Sequence, residues 1–327
     1  MLRGSNAASF VRCAVEHGMP VKSLGNPFAV VDRRVGVVII TWQRRDEALA
    51  AVHRLRELPE RPAVVLVDNG STDGTAEAVR SAYPDVEVVA LPENLGAVGR
   101  NVGVARLRTP YVAFCDDDTW WEPGSLARAA DVLDEHDRLA LVNARIVVEP
   151  GGADDPIVGE LRDSPVPGPD WLPGPALGSF LAGASVLRRE AFEQAGGFSE
   201  RLWLGGEEEL LATDLLSLGW ELCYLPGLVV HHRASALRDA THRRRVGLRN
   251  TLWFTWLRRP FGAAVRRTLF LARSVPRDRT SALAVADALR GLPWLVTARR
   301  PRPAIVEARL APLDEAQRRS TARRYVG

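Results

Sequence analysis

The sequence predicts an α/β protein, a mostly parallel, twisted sheet flanked by helices and followed by a basic, mainly helical C-terminal extension. Three observations predict it. From Val35 onward, short apolar runs of strand length alternate with helix-like segments, the pattern of βαβ units with right-handed crossovers. The runs are apolar throughout rather than alternating, which suits parallel strands covered on both faces. Charge divides the chain: residues 1–232 carry 21 Lys and Arg against 34 Asp and Glu, and residues 233–327 carry 22 against 6.

Residues 1–33 show no clean periodicity and are expected to form an arm. The body of the fold is expected over 34–232 and the extension over 233–327. Val35–Ile40, Ala63–Val67, Val86–Ala90 and Tyr111–Phe114 read as four strands, with helices near 45–57, 74–82 and 97–107 between them. A helix at about 124–134 and an extended run at Leu139–Val148 follow. Residues 150–175 hold seven prolines and five glycines, so this stretch is expected to be a long functional loop. A strand at about 181–187, helices at 189–195 and 207–218, and strand pieces Leu222–Leu225 and Leu228–Val230 complete the body.

The length of 327 residues allows one large domain with an appendage, and 46% hydrophobic with 25% charged residues is the composition of a globular protein. The three cysteines, Cys13, Cys115 and Cys223, lie far apart and form no metal-type pair, which points to a reducing compartment. No apolar run approaches the roughly 20 residues of a spanning helix, and the N-terminus lacks a signal-peptide segment. The expected location is therefore cytoplasmic, with peripheral attachment to the inner face of the cell membrane. The extension supplies the reason: Arg243-Arg244-Arg245, Arg249, Trp253, Trp256 and Arg258-Arg259 interleave cations with tryptophans, as at a membrane interface. The plainer alternative lays the basic extension on the acidic body. No nucleic-acid recognition module is visible.

Chemistry concentrates where apolar runs end. Tyr111–Cys115 stops at Asp116-Asp117-Asp118. Three carboxylates at one strand end call for a hard cation or a ring of donors, and open α/β sheets bind ligands just outside the carboxyl ends of their strands. The expectation is a divalent metal and a phosphorylated substrate. Asp68 ends the second strand and opens Asn69-Gly70-Ser71-Thr72-Asp73-Gly74, a turn that can cap the next helix. Arg100 follows Asn94-Leu95-Gly96 and could fork onto a diphosphate. Glu207-Glu208-Glu209 opens a helix. At about 100° per residue, Glu207 and Glu208 fall near the face of Leu211, Leu215 and Leu218, and Glu209 points to solvent.

Taken in order, Ile40-Thr41-Trp42-Gln43-Arg44, VDNGSTDGT at 67–75, NLG at 94–96 with GRNVG at 99–103, and FCDDD at 114–118 resemble family 2 glycosyltransferases of the GT-A fold. Gly196-Gly197-Phe198-Ser199-Glu200 with Gly206-Glu207-Glu208 and Gly219-Trp220 resembles the family's acceptor-side motif, and Leu225–His232 its closing strand. The resemblance spans about residues 35–232. It implies inverting transfer of a sugar from a nucleoside diphosphate donor to an acceptor hydroxyl on a saccharide, lipid-linked saccharide or small molecule, in cell-surface polysaccharide, glycolipid or glycosylated metabolite synthesis. It places Thr41 and Asp68 at the nucleobase and ribose, and Arg100 and Asp117 at the donor. Asp116 would meet ribose or metal, Asp118 would be the main ligand of Mg²⁺ or Mn²⁺, and Gly183 and Ala184 would lie near the donor sugar. Glu208 becomes the base and Glu207 the second choice. Of the strand-end pair, His231 is assigned to the metal or diphosphate. Two rivals stand beside this: a sugar nucleotidyltransferase of the same fold, disfavoured because no glycine follows Thr41, and a non-catalytic nucleotide- or carbohydrate-binding module.

Overall fold

The computed structural model describes residues 32–233 and 240–319. Nearly all of the expected N-terminal arm, and Cys13 with it, lies outside them. Strand β1 (Val35–Thr41) is buried almost throughout and lies at the middle of the first half of the sheet. It pairs in parallel with β2 (Ala63–Asp68) on one side and β4 (Tyr111–Asp116) on the other, and β3 (Glu87–Ala90) extends β2, also in parallel. Helix α1 (Arg45–Glu57) buries Ala48, Ala51, Val52 and Leu55 on one stripe, with Asp46 and Glu47 in its first turn and Arg54 and Arg56 in its last. Both charge sets suit the helix dipole. Helices α2 (Thr75–Ala82) and α3 (Gly99–Arg106) make the next two crossovers. The order β3-β2-β1-β4 reverses direction between β1 and β4, so a crevice opens at their carboxyl ends.

Beyond β4 the sheet becomes mixed. Strand β5 (Thr119–Trp121) and helix α4 (Ser125–Glu135) precede the long β6 (Leu139–Val148). The expected loop at 150–175 contains a two-residue strand, β7 (Ala153–Asp154), and helix α5 (Pro156–Arg162), which Asp155 caps by accepting from the Ile157 N–H at 3.0 Å. Strand β8 (Ser185–Arg188) runs antiparallel to β4 and β6. Helices α6 (Arg189–Gln194) and α7 (Glu207–Ser217) lead into β9 (Glu221–His232). The two expected strand pieces are thus one strand. It parallels β6 through a register shift where Leu225 gives way to Val229, so Pro226 and Gly227 form a bulge, and it pairs antiparallel with β5.

Among the described residues five helices follow: α8 (Ala240–Arg258), α9 (Phe261–Ser274), α10 (Arg279–Arg290), α11 (Leu292–Ala298) and α12 (Ala304–Arg319). Leu202 and Leu210 of the body share a second core with Trp253, Phe254 and Leu257 of α8, and with Ala288 and Leu295. The tryptophans expected at a membrane interface are turned inward. Trp253 donates to Ala288 O at 3.0 Å, and Trp256 donates to Thr268 Oγ1 at 3.1 Å. Many of the arginines serve the fold as well. Arg258 grips Asp214 with both guanidinium arms, Arg259 grips Asp314, and Arg309 of α12 forks onto Glu221 at the start of β9. Val306 and Leu310 join the main core. Arg258 and Arg309 thus lay part of the extension's charge on acids of the body, as the plainer alternative has it, while Arg259 pairs within the extension.

Asn250, fully buried, ties α8 to the loop before α7 by donating to Leu204 O at 3.0 Å and Gly205 O at 2.6 Å. Asn250→Ala leaves those carbonyls without their donor, and a loss of about 1–3 kcal/mol is expected in urea unfolding. An unchanged midpoint would show that the clasp does not hold the two parts together.

Candidate active site

Strand β4 ends in the acid triplet because a buried frame delivers it there. Phe114 and Cys115 are fully buried, and burial pushes the Cys115 thiol up to about 12, so it packs as a small inert residue. The three aspartates then diverge. Asp116 accepts from Arg100 Nη2 at 2.5 Å. Asp117 is buried and accepts from the Thr41 hydroxyl at 2.8 Å and from Arg44 Nη1 at 2.6 Å. Burial drives the Asp117 carboxyl up to about 7, against the pull of Arg44 and Thr41. Asp118 meets Arg44 at 3.2 Å and lies 3.8 Å from His232 Nε2.

Arg100 is only 6% exposed. Its guanidinium packs against the touching rings of Phe114 and Phe198, 5.8 Å from each centroid, and its buried Nε has no partner. Expected at the donor, it is placed instead to hold Asp116. The next residue, Asn101, accepts from the Phe198 N–H at 2.9 Å and donates to Phe198 O at 2.8 Å, clamping α3 to the Gly196-Gly197-Phe198 turn.

The neighbouring loops interlock. Gln43 has a left-handed φ of 56°, uncommon for a residue with a side chain. It is held by Ser71 Oγ at 2.8 Å and by a two-way exchange with Thr72, at 2.9 and 3.1 Å. Asp68 is buried and accepts from the Ser71 N–H at 3.1 Å and from its hydroxyl. Thr41 and Asp68, expected at the nucleobase and ribose, thus have internal partners. Asn69, rather than Asp68, faces the cavity.

That cavity, of about 620 Å³, opens over Thr41, Arg44, Arg100 and Asp116–Asp118. Trp42, Trp203, His242 and Arg243 also line it, and the sequence pointed to none of the four as a site residue. Trp203 is tied to the Asn94–Ala97 turn: its carbonyl accepts from Ala97 N at 2.8 Å and its indole donates to Asn94 O at 3.0 Å. Gly96, at φ 60°, has no room for a side chain there, since a Cβ would lie 2.0 Å from Trp203 O.

The second half of the sheet brings the glutamates to the same place. Glu208 Oε1 accepts from the Ala182 N–H at 2.6 Å. The adjacent Gly183 lies so close to Asp116 that a Cβ would sit 2.8 Å from Oδ2. Ala184 is buried beside it. Glu207, only 4% exposed, turns into the core, and its Oε2 has no partner. Burial and the adjacent Glu208 carboxylate push Glu207 well above the ordinary value of 4.5. Glu208, by contrast, is partly exposed. Glu209, expected in solvent, is half-buried, and its charge acts on Arg259.

The assignment of His231 is corrected by the strand's alternation. His231 stacks on Trp120, with centroids 5.3 Å apart, and sits 3.1 Å from Glu149 and 3.6 Å from Glu122. His232 faces Asp118 instead. The carboxylates of Asp116 and Asp118 beside an imidazole suit Mg²⁺ or Mn²⁺ by donor chemistry. Among the described residues, no group of three or more His, Cys, Asp and Glu is arranged to hold an ion; Arg44 and Arg100 draw these acids instead.

A parallel half-sheet with its crevice at the β1/β4 reversal, an acid floor and a glutamate-bearing helix across from it define a glycosyltransferase of the GT-A fold. The chain belongs to glycosyltransferase family 2: the description "Glycosyl transferase family 2" matches residues 36–196. An N-acetylglucosaminyl-diphospho-decaprenol L-rhamnosyltransferase of Mycobacterium tuberculosis is 28% identical over 299 residues, 77% of this chain and 97% of that one. A pre-mycofactocin glycosyltransferase of the same organism is 31% identical over 54% of this chain and 38% of its own length. Among solved structures, a mannosyltransferase of Pyrobaculum calidifontis in complex with GDP-Man and Mn²⁺ superposes with a TM-score of 0.53 at 20% identity, covering 94% of this chain and 82% of that one. Residues 1–349 of S. aureus TarS give 0.54 at 18%, covering 88% and 87%. At those identities the superpositions speak for the fold alone.

Because the folded protein holds the Glu207 proton more tightly than the unfolded chain does, stability is lost as pH rises above the ordinary Glu value. Glu207→Gln keeps the shape and removes the ionisation. Its melting temperature should gain on wild type steadily from about pH 5 to about pH 8 in scanning fluorimetry. A difference that does not vary with pH would contradict the buried, proton-holding state.

Proposed function

We propose that this glycosyltransferase is inverting and divalent-cation-dependent, and that it moves a sugar from a nucleoside diphosphate to the hydroxyl of a lipid-linked or cell-surface saccharide. The carrying observation is the convergence of Glu208 and Asp116 on Ala182-Gly183. A base and a diphosphate-side acid flank one small-residue turn where a sugar ring can approach the backbone. The acceptor oxygen attacks the anomeric carbon, and its proton passes to Glu208. The bond from that carbon to the diphosphate breaks on the opposite side, its electron pair leaving with the diphosphate oxygen. Attack opposite the leaving group inverts the centre. Asp116 and Asp118, with His232 beside Asp118, would hold a Mg²⁺ or Mn²⁺ ion, which supplies positive charge at the diphosphate. Arg100 fixes Asp116, while Arg44 and Thr41 fix Asp117.

Two relatives support the acceptor class. One is named for a diphospho-decaprenol-linked sugar, and another, 33% identical over 98 residues, is a succinoglycan biosynthesis protein of Rhizobium meliloti. Glu208→Gln should lower kcat by about 10²–10⁴-fold and leave nucleoside diphosphate binding intact, as read in a transfer assay with nucleotide sugars and Mn²⁺ beside calorimetry. Wild-type kcat in that variant would remove Glu208 from the role.

The cytoplasmic, membrane-peripheral setting also belongs to this proposal. Among the described residues no helix is long and apolar enough to cross a membrane. Outward-facing Phe261, Leu269, Leu289 and Val296 are 49–75% exposed, in a stretch that also exposes Arg266, Arg273, Arg277 and Arg279. Apolar and cationic groups together fit an anionic bilayer surface. The protein should cosediment with anionic vesicles at low salt, and Leu289→Glu with Val296→Glu should reduce the bound fraction. Equal partition to neutral and anionic vesicles would end this part of the proposal.

A further inference from the structure

A second cavity, of about 240 Å³, lies between the body and the C-terminal helices, and it shares no lining residue with the donor cavity. Its wall on the body side begins in the turn after α6. There the side chains part: Phe198 enters the main core, while Gly197 and Ser199 line the cavity. Leu210 and Asp214, four residues apart on α7, continue that wall along one stripe of the helix. The opposite wall comes from the extension. Arg258 ends α8, Trp294 belongs to α11, and Arg300 follows α11. The family match ends at residue 196, so this second wall lies beyond it.

The lining pairs a fixed aromatic ring with polar groups that still have bonds to make. Trp294 is half-buried. It meets Trp253 edge-on, with centroids 5.3 Å apart, and the Arg201 guanidinium lies 5.6 Å from its ring. Asp214 and Arg258 join through two hydrogen bonds, which leaves acceptor sites on the carboxylate and N–H donors on the guanidinium for another group. The Ser199 hydroxyl, the Trp294 indole N–H and the Arg300 guanidinium have no hydrogen-bond or ion-pair partner among the described residues. A pyranose matches this set: its C–H surface can lie on an indole, and its rim of hydroxyls both donates and accepts. A phosphate only accepts, and it would meet the Asp214 carboxylate as a like charge. The volume is below the roughly 300–1,000 Å³ of pockets that take drug-sized ligands, so it suits one small unit and not a chain.

We propose that this cavity is a saccharide-binding site, separate from the donor site, which takes one pyranoside unit of an acceptor glycan. Trp294 receives the C–H surface of the ring, Asp214, Arg258 and Ser199 bind its hydroxyls, and Arg300 closes the rim. A glycan held here stays tethered to the enzyme between transfers, which raises the effective concentration of its free end. The link to an acceptor rests on the saccharide-acceptor reading of the enzyme; the binding itself uses neither the donor, the base nor a metal.

The test is saturation-transfer NMR on the full chain with the methyl pyranosides of glucose, galactose, mannose, N-acetylglucosamine and rhamnose, each titrated for an affinity. At least one should bind wild type and Glu208→Gln alike. Arg300→Ala and Ser199→Ala should each weaken it by about 5- to 10-fold, and Trp294→Ala should abolish it. Because Trp294 also packs on Trp253, the two milder variants decide the matter if Trp294→Ala melts early. Binding that is lost in Glu208→Gln and unchanged in Arg300→Ala and Ser199→Ala would put the sugar at the base and overturn the proposal. Binding of none of the five would also overturn it, as would inorganic phosphate binding more tightly than any pyranoside, which would mark an anion site. A wild-type chain that transfers no sugar yet binds a pyranoside in an Arg300-dependent way would support the site and overturn the transfer reading instead.

Discussion

The geometry of the site depends on the ion pair between Arg100 and Asp116. Burying a guanidinium at 6% exposure costs several kcal/mol unless a countercharge meets it. Here the countercharge is a cavity-lining acid, and the guanidinium also packs against two phenylalanine rings. Removing either partner leaves the other charge stranded in an apolar place, so each keeps the other in position. Arg44, Asp117 and Thr41 repeat the device one residue along, on the other side of the strand. The aspartates reach the cavity already oriented, which is what electrostatic preorganisation requires.

That frame links two halves of one sheet, different in character. The parallel half supplies the floor, because its strands all end at one edge. The mixed half brings Glu208 up to Asp116, because the antiparallel β8 is preceded by the Ala182–Ala184 turn close to the end of β4. Small residues are required at that junction: Gly183 meets a carboxylate, and Gly96 meets the Trp203 backbone. The Asn101–Phe198 exchange ties α3 to the Gly196-Gly197-Phe198 turn, so the two halves of the sheet are joined beside the site.

Much of this was legible before any coordinates, and the rest was hidden for definable reasons. Continuous apolar runs disclosed β1, β2, β4 and β6, because burial on both faces leaves no alternation to misread, and a shorter run disclosed the more exposed edge strand β3. Three-residue β5 has no period to detect. Helix α5 hid inside a proline- and glycine-rich stretch, since Pro156 at a helix start and Asp155 as its cap look like turn chemistry until the cap is seen. Motif likeness found the acids but could not say which atoms the fold consumes. Thr41, Asp68 and Arg100 each spend their polar groups on neighbours. His231 and His232 differ only by which face of β9 they occupy, and that was settled by the contacts of His231 with Trp120 and of His232 with Asp118. Trp253 and Trp256 resembled interfacial residues in composition, yet they lie inside a second core that one-dimensional charge counting does not reveal.

The last helix carries a consequence of its own. Through Arg309 on Glu221, and through Val306 and Leu310 in the main core, α12 returns to the sheet after α8 has already been clasped near α7. The intervening helices are therefore stapled at both ends, like a handle riveted twice to its vessel. A segment attached in this way has no low-energy route to peel off alone. Melting the handle and melting the vessel become one cooperative event, and the two halves of the polypeptide are gained or lost together.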